Sequence, residues 1–177
     1  MRTSGPPASS QAMAVFLSVK ELLSGAESAG LELWEYVLRA SADETGISTE
    51  HSWAQMAARL EAMKKADASY DAGMRSHSGL TGGDGAKMEA YAAGDGGICG
   101  EFIDSILAAA LRMGECNACM HCIVAAPTAG ACGVLPAVLL PYGRRHELTD
   151  DALIKALYVA SGFGAVIAQR ASISGAE

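Results

Sequence analysis

From Trp53 to Met74 the apolar residues Trp53, Met56, Leu60, Met63, Ala66, Tyr70 and Met74 recur every three or four positions. Arg59, Glu61, Lys64, Lys65 and Asp67 mostly fall between them. That spacing follows the turn of an α-helix, not the two-residue alternation of a strand, and it predicts one long amphipathic helix. Shorter stretches of similar period predict helices over Val15 to Leu23, ended by Gly25 to Gly30, and over Leu31 to Ala40. Others are expected from Asp84, as N-cap, to about Ala93, and from Ile98 to Met113. A last one opens at Thr149, carries Asp150 and Asp151 in its first turn, and runs to about Gln169. No alternating run of convincing length occurs, and prolines are few. The expected fold is all-α, a compact multi-helix domain with glycine-rich turns at helix N-termini. Residues 1–12 are mostly polar and hold Gly5, Pro6 and Pro7, which predicts a flexible N-terminal arm.

A chain of 177 residues that is 50% apolar and 19% charged has enough apolar surface to build a core, so disorder is excluded as the overall state. A net charge of −7 repels phosphate backbones and argues against nucleic-acid binding. No run of about 18 uninterrupted apolar residues predicts a membrane span. The stretch from Ile123 to Tyr142 is interrupted by Pro127, Pro136 and Pro141. The segment Ala156 to Ala168 is apolar on all sides, which predicts a helix buried within the domain or against another surface. Five cysteines, an odd number, without a recognisable export signal, fit thiols or metal ligands in a reducing cytoplasm.

Three small-residue segments carry the candidate chemistry: SHSGLTGGDG (76–85), APTAGACG (126–133) and ASISGAE (171–177). The first two run from a tight turn into a helix, whose first turn exposes unpaired N–H groups and the positive end of the dipole. Glycine lets a ligand approach that backbone, and serine and threonine add hydroxyls. Convergence of two such starts in one cleft would hold a small carboxylate. The candidate contacts are Ser78, Gly79, Thr81, Gly82, Gly83 and Asp84, then Thr128, Ala129 and Gly130, then Ser172, Ser174 and Gly175. For any one segment alone the simpler reading, glycines that let helices turn and cross closely, is preferred. No Gly-Lys-Ser/Thr follows the first segment, so it is not a Walker loop.

Lys87 lies three residues after Asp84, in the first turn of the expected helix, where the dipole disfavours an ammonium. In a partly dry pocket such a lysine is a candidate base, against the commoner alternative of a solvated surface side chain. Cys116, Cys119 and Cys122 form C-x2-C-x2-C, the opening of a ferredoxin-type motif, but the next cysteine, Cys132, comes ten positions on. Buried packing thiols are the alternative. His51, His77 and His146 have no evident paired acid, and His77 alone sits within a glycine-rich segment.

SGLTGGDGAKM, NACMHCIVAAPTAGACGVLPAVL and ASISGAE, in this order and after an opening FLSVKELL, resemble the alpha chain of bacterial iron–sulfur-dependent L-serine dehydratase. The resemblance spans about residues 14 to 177. It implies a helical region, here residues 13–177, that converts L-serine to pyruvate and ammonia with a 4Fe–4S cluster and a beta chain or domain as partner. It also implies an oligomer, homo- or hetero-. In the family, Ser-Gly-Ala is followed by Gly-Cys, the first of three cluster cysteines. The resemblance therefore places the cluster ligands beyond Glu177 and makes this an incomplete alpha chain, expected to be inactive alone. Where the family has Asn-Ala-Ser/Ala-Met-Gly the chain has NACMHC, and Arg170 stands where the family has Asn before Ala-Ser-Ile-Ser. The resemblance thus makes Cys116, Cys119 and Cys122 local substitutions. Two alternatives stand beside it. One is a non-catalytic helical module that binds a small anion or a partner. The other is a small metal-binding protein using Cys116, Cys119 and Cys122.

Overall fold

The computed structural model describes residues 16–94, 97–119 and 133–171. They form seven helices and no strand: α1 (Val19–Ala29), α2 (Leu33–Thr45), α3 (Thr49–Ala68), α4 (Asp84–Ala92), α5 (Glu101–Ala118), α6 (Val134–Arg145) and α7 (Asp150–Ala168). The expected all-α class is observed. The arm expected over residues 1–12 lies outside the described residues.

Local chemistry sets the ends of these helices. Ser18, Ser48 and Thr149 accept N–H bonds from Glu21, His51 and Ala152, which caps α1, α3 and α7. Gly30 and Gly46 close α1 and α2 in the left-handed conformation. Gly25 does not end the first helix, as its sequence suggested. It lies inside α1 because the Tyr36 ring of α2 crosses there, and a Cβ would sit 2.7 Å from Tyr36 Cζ. The long helix stops at Ala68, short of Tyr70 and Met74. Ser69 Oγ turns back to the Ala66 carbonyl and Asp71 accepts from the Gly73 amide, so the chain leaves the helix. Met74 is buried nonetheless. Its place in the apolar pattern therefore reports burial and not helix.

Pro136 and Pro141 both lie within α6. Pro136 occupies the first turn, where no intrahelical N–H is required. Pro141 removes one internal bond, and both rings are buried. Helix α5 starts three residues later than expected and runs on to Ala118.

The packing forms two groups joined by α3. On one side α7 packs against α1, α2 and α3. Leu22, Val37, Leu60, Leu157 and Tyr158 make the centre, with the Tyr158 hydroxyl 2.8 Å from Ser52 Oγ. Gly162 allows this approach, since a Cβ there would lie 2.7 Å from Val37 Cγ2. By length and composition α7 could cross a membrane, but its Leu153, Ile154, Leu157, Tyr158, Ala165 and Val166 face the other helices. Burial on all sides, as its composition suggested, is not observed, because Phe163 and Ile167 are exposed. On the other side of α3, α4 packs on α5 and α5 on α6. Helices α5 and α6 run antiparallel, with Phe102 beside Tyr142 at one end and Gly133 beside Met113 at the other. Arg170, the departure from the family pattern, donates twice to the Leu17 carbonyl and ties the end of α7 to the residues before α1.

Candidate functional site

The loop between α3 and α4 carries the first glycine-rich segment. Its turn is closed by the Ser76 amide on the Thr81 carbonyl and the Gly79 amide on the Ser76 carbonyl, both at 2.8 Å. Ser76 Oγ accepts from the Thr81 amide and Ser78 Oγ from the Leu80 amide. Gly79, Gly82 and Gly83 have φ of 72°, 140° and 84°, a region that side chains disfavour. At Gly82 a Cβ would also strike the Met74 carbonyl, and at Gly83 it would lie 3.1 Å from the Arg75 guanidinium. That guanidinium is anchored on the Ala72 and Met74 carbonyls. Ser78, Gly79 and Leu80 face solvent.

Asp84 was the expected N-cap of α4. Gly83 takes that position and Asp84 is the first helical residue, because the left-handed turn already ends at Gly83, one residue earlier than the aspartate pattern suggested. The amides at the helix start do not lie open. The Asp84 amide donates to Glu115 Oε1 at 2.6 Å, and the Gly85 amide lies 3.3 Å from both Glu115 oxygens. The Tyr70 hydroxyl donates to Glu115 Oε2 at 2.7 Å and accepts from the Ala86 amide at 3.1 Å. An internal carboxylate, 3% exposed, therefore fills the anion position that the sequence suggested for a ligand.

Four hydrogen bonds and the helix dipole compensate this buried charge, the dipole contributing up to about 2 kcal/mol in such partly buried geometry. Burial, followed by the bond to Glu115, pushes the Tyr70 phenol above its ordinary pKa. Among the described residues the amides of Gly82 and Gly83 have no hydrogen-bond partner. Gly82 is half-buried and Gly83 is buried beside the Arg75 guanidinium, so of the backbone near the start of α4 it is this loop, and not the first turn, that keeps unpaired amides among the described residues. Sequence reading missed Glu115 and Tyr70. Their signal was weak: one acid at the end of the apolar α5, and a tyrosine placed on the apolar stripe of α3.

Behind this site α3, α4, α5 and α6 are laced by charge. Arg112 donates to Asp67 at 2.9 Å and to Glu89 at 2.8 Å, and Arg144 donates to the other Asp67 oxygen at 2.9 Å. Burial opposes the Arg112 charge, but Asp67 and Glu89 outweigh it and hold the guanidinium above its ordinary pKa. Gly85 lets α4 sit this close, since a Cβ would lie 3.0 Å from the Arg112 amide nitrogen.

Of the residues singled out in the sequence, Ser78, Gly79, Thr81, Gly82, Gly83 and Asp84 fall on this loop and helix start. Lys87 lies on the outer side of the first turn. Its side chain is 78% exposed and donates to Asp84 at 2.8 Å. Thr128, Ala129, Gly130, Ser172, Ser174 and Gly175 lie outside the described residues, and so does their expected convergence with the loop.

Cys122 also lies outside them. Cys116 is buried, with its thiol 3.9 Å from the Ala66 carbonyl, while Cys119 caps the end of α5. Burial, then the nearby Cys119 and Glu115, raise the Cys116 pKa. Among the described residues no three His, Cys, Asp or Glu side chains gather as metal ligands. An iron–sulfur cluster needs convergent thiolates, and the Cys116 thiol is instead turned into the α3–α5 interface toward the Ala66 carbonyl. The exposed Cys99 should therefore alkylate more than about tenfold faster than Cys116 in the folded protein. Peptide mapping after a short iodoacetamide pulse reads this ratio, and equal labelling would contradict the burial of Cys116.

A family described as "Serine dehydratase alpha chain" matches residues 28–177. The "Probable L-serine dehydratase, alpha chain" of Bacillus subtilis (strain 168) is 33% identical over 162 residues, 92% of this chain and 54% of that protein. The "L-serine dehydratase, alpha chain" of Peptoniphilus asaccharolyticus is 36% identical over 87 residues, 49% of this chain and 30% of its own length. "L-serine dehydratase 2" of Escherichia coli (strain K12) is 45% identical over 76 residues, 42% of this chain and 17% of its own. The chain thus spans about half the length of the Bacillus relative and less of the others. No solved structure matches it.

Proposed function

Because the chain belongs to the serine dehydratase alpha-chain family, we propose that it supplies the helical, substrate-positioning part of an L-serine ammonia-lyase. The observation that carries this reading is the family match across residues 28–177, which includes the glycine-rich loop ahead of α4.

The reaction removes the Cα proton and the β-hydroxyl of L-serine. It leaves 2-aminoacrylate and water, and the enamine then tautomerises and hydrolyses to pyruvate and ammonia. A site for this chemistry must hold the substrate carboxylate firmly, so that the Cα–H bond faces the base. We assign that task to the Gly82 and Gly83 amides, with the hydroxyls of Ser78 and Thr81. Thr128, Ala129, Gly130, Ser172, Ser174 and Gly175 are proposed as further contacts on the same substrate. Lys87 is the proposed base, once its Asp84 contact is exchanged for substrate and another surface covers it.

The 4Fe–4S cluster that the resemblance implies belongs to this proposal as a group held outside these 177 residues. The beta chain or domain is its expected partner, and the cytoplasm, where thiols stay reduced, its expected compartment.

The test is pyruvate formation from L-serine after anaerobic reconstitution with iron and sulfide. The chain is assayed alone and together with the remaining alpha and beta regions of a complete enzyme. Activity only in the combination is expected. No pyruvate from the combination would overturn the reading. Activity with stoichiometric iron in the chain alone would move the cluster to the cysteines at 116–122.

A further inference from the structure

We propose that Glu115 and Tyr70 are positioning residues for the glycine-rich loop. The Glu115 carboxylate on α5 grips the amides of Asp84 and Gly85, and the Tyr70 hydroxyl joins that carboxylate to the amide of Ala86. Together they fix the first turn of α4, so that the residues just ahead of it, Gly82 and Gly83, present their amides to the substrate carboxylate. The inference rests on the dehydratase reading and deepens it.

Three observations carry it. First, the clamp joins separate parts of the chain. Tyr70 follows α3, Asp84 opens α4, and Glu115 lies 31 residues further on in α5. The start of α4 is therefore located by tertiary contact as well as by its own sequence. Second, only Gly82 and Gly83 separate Thr81 from Asp84, and both are left-handed. Glycine has the widest backbone freedom of any residue, so these two peptide planes take their direction from what holds each side of them. On one side that is the Thr81–Ser76 turn and on the other the Glu115 clamp. Third, Glu115 already occupies the anion position of the helix start and repels a second carboxylate there. An incoming carboxylate is directed to the amides of Gly82 and Gly83, which have no hydrogen-bond partner among the described residues.

Glutamine at 115 keeps the shape and one acceptor oxygen. It removes the charge and the second acceptor, which Tyr70 and Gly85 use. Phenylalanine at 70 keeps Glu115 and removes the hydroxyl bridge. The two variants are compared in the assembled dehydratase by L-serine kinetics and by amide hydrogen exchange at residues 79–86. The expected result for Glu115→Gln is a KM for L-serine raised by about tenfold, with kcat within about threefold. Tyr70→Phe should raise KM by roughly threefold. Exchange should quicken in both variants at Asp84 to Ala86, whose amides the clamp holds. A merely structural role would instead lower the amount of folded enzyme, which reduces the apparent kcat and leaves KM alone.

An active wild type whose variants keep the wild-type KM overturns the positioning role and leaves the dehydratase reading intact. A wild type that makes no pyruvate overturns the dehydratase reading. In that case unchanged exchange at 79–86 in both variants also overturns the clamp, and quickened exchange upholds it. If Glu115→Gln does not fold, Tyr70→Phe decides by the same two readouts.

Discussion

Truncation of Glu115 to alanine is expected to destabilise the chain by about 3 kcal/mol, read as a fall in melting temperature of roughly 6–12 °C for a chain of this size. The cost has three parts. The amides of Asp84 and Gly85 lose their acceptor, the first part-buried and the second buried, and an unsatisfied buried donor costs about 1–3 kcal/mol. The Tyr70 hydroxyl, already tied to Ala86, is left without its carboxylate. The start of α4 also loses the negative charge that its dipole favours. Relief of the desolvated carboxylate offsets part of this, which keeps the estimate below the sum of the bonds broken. Glu115→Gln, which keeps an acceptor, should cost about half as much. Circular dichroism melts of the three proteins measure the series. A loss below about 1 kcal/mol in the alanine variant would show that water reaches these amides.

The same residue shows where sequence reading succeeded and where it could not. Periodicity and capping residues together placed six of the seven helices among the described residues, and the turn at 126–133 implied the seventh, α6; where an apolar face is buried against neighbours, as in α3, burial follows the turn of the helix. It placed the end of α3 too late, because Met74 after the helix is buried too, though less fully than Leu60, Met63 and Ala66 within it. It ended α1 too early at Gly25, since a glycine required by a crossing tyrosine ring looks in sequence like one that ends a helix. The loop before α4 was legible from its glycines, because positive φ restricts the residue type directly. Its capping partner was not. Glu115 is 31 residues from the amide it holds, and nothing local to RMGECNA distinguishes a clamp from a solvated acid. Pair interactions across helices leave no period in a single sequence. The same holds for Asp67, which counted there as an ordinary charge on the outer face of α3 and is 11% exposed in the fold.

Asp67 is the second position where a single change should have a large effect. Its two oxygens take Arg112 of α5 and Arg144 of α6, and Arg112 reaches on to Glu89 of α4. One carboxylate thus links α3 directly to α5 and α6 and, through Arg112, to α4, the three helices of the second group. The side chains of Asp67 and Arg112 are 11% and 13% exposed, so their attraction is poorly screened. Removing one partner of such a pair leaves a buried charge without compensation, at a typical cost of about 3–5 kcal/mol. Here Glu89, largely in solvent, still meets one side of the guanidinium, so Asp67→Ala is expected at the low end, about 3 kcal/mol. Arg144 is more than half exposed, and its share should be small and should fade with added salt. The companion double variant Asp67→Leu with Arg112→Met removes both charges and keeps apolar volume. Buried pairs replaced in this way are often neutral, so the double variant should recover more than about half of the loss. Urea unfolding of the wild type, the single variant and the double variant at low and high salt measures each part. A double variant no more stable than Asp67→Ala would mean that helix contact, not an abandoned charge, sets the cost at this junction.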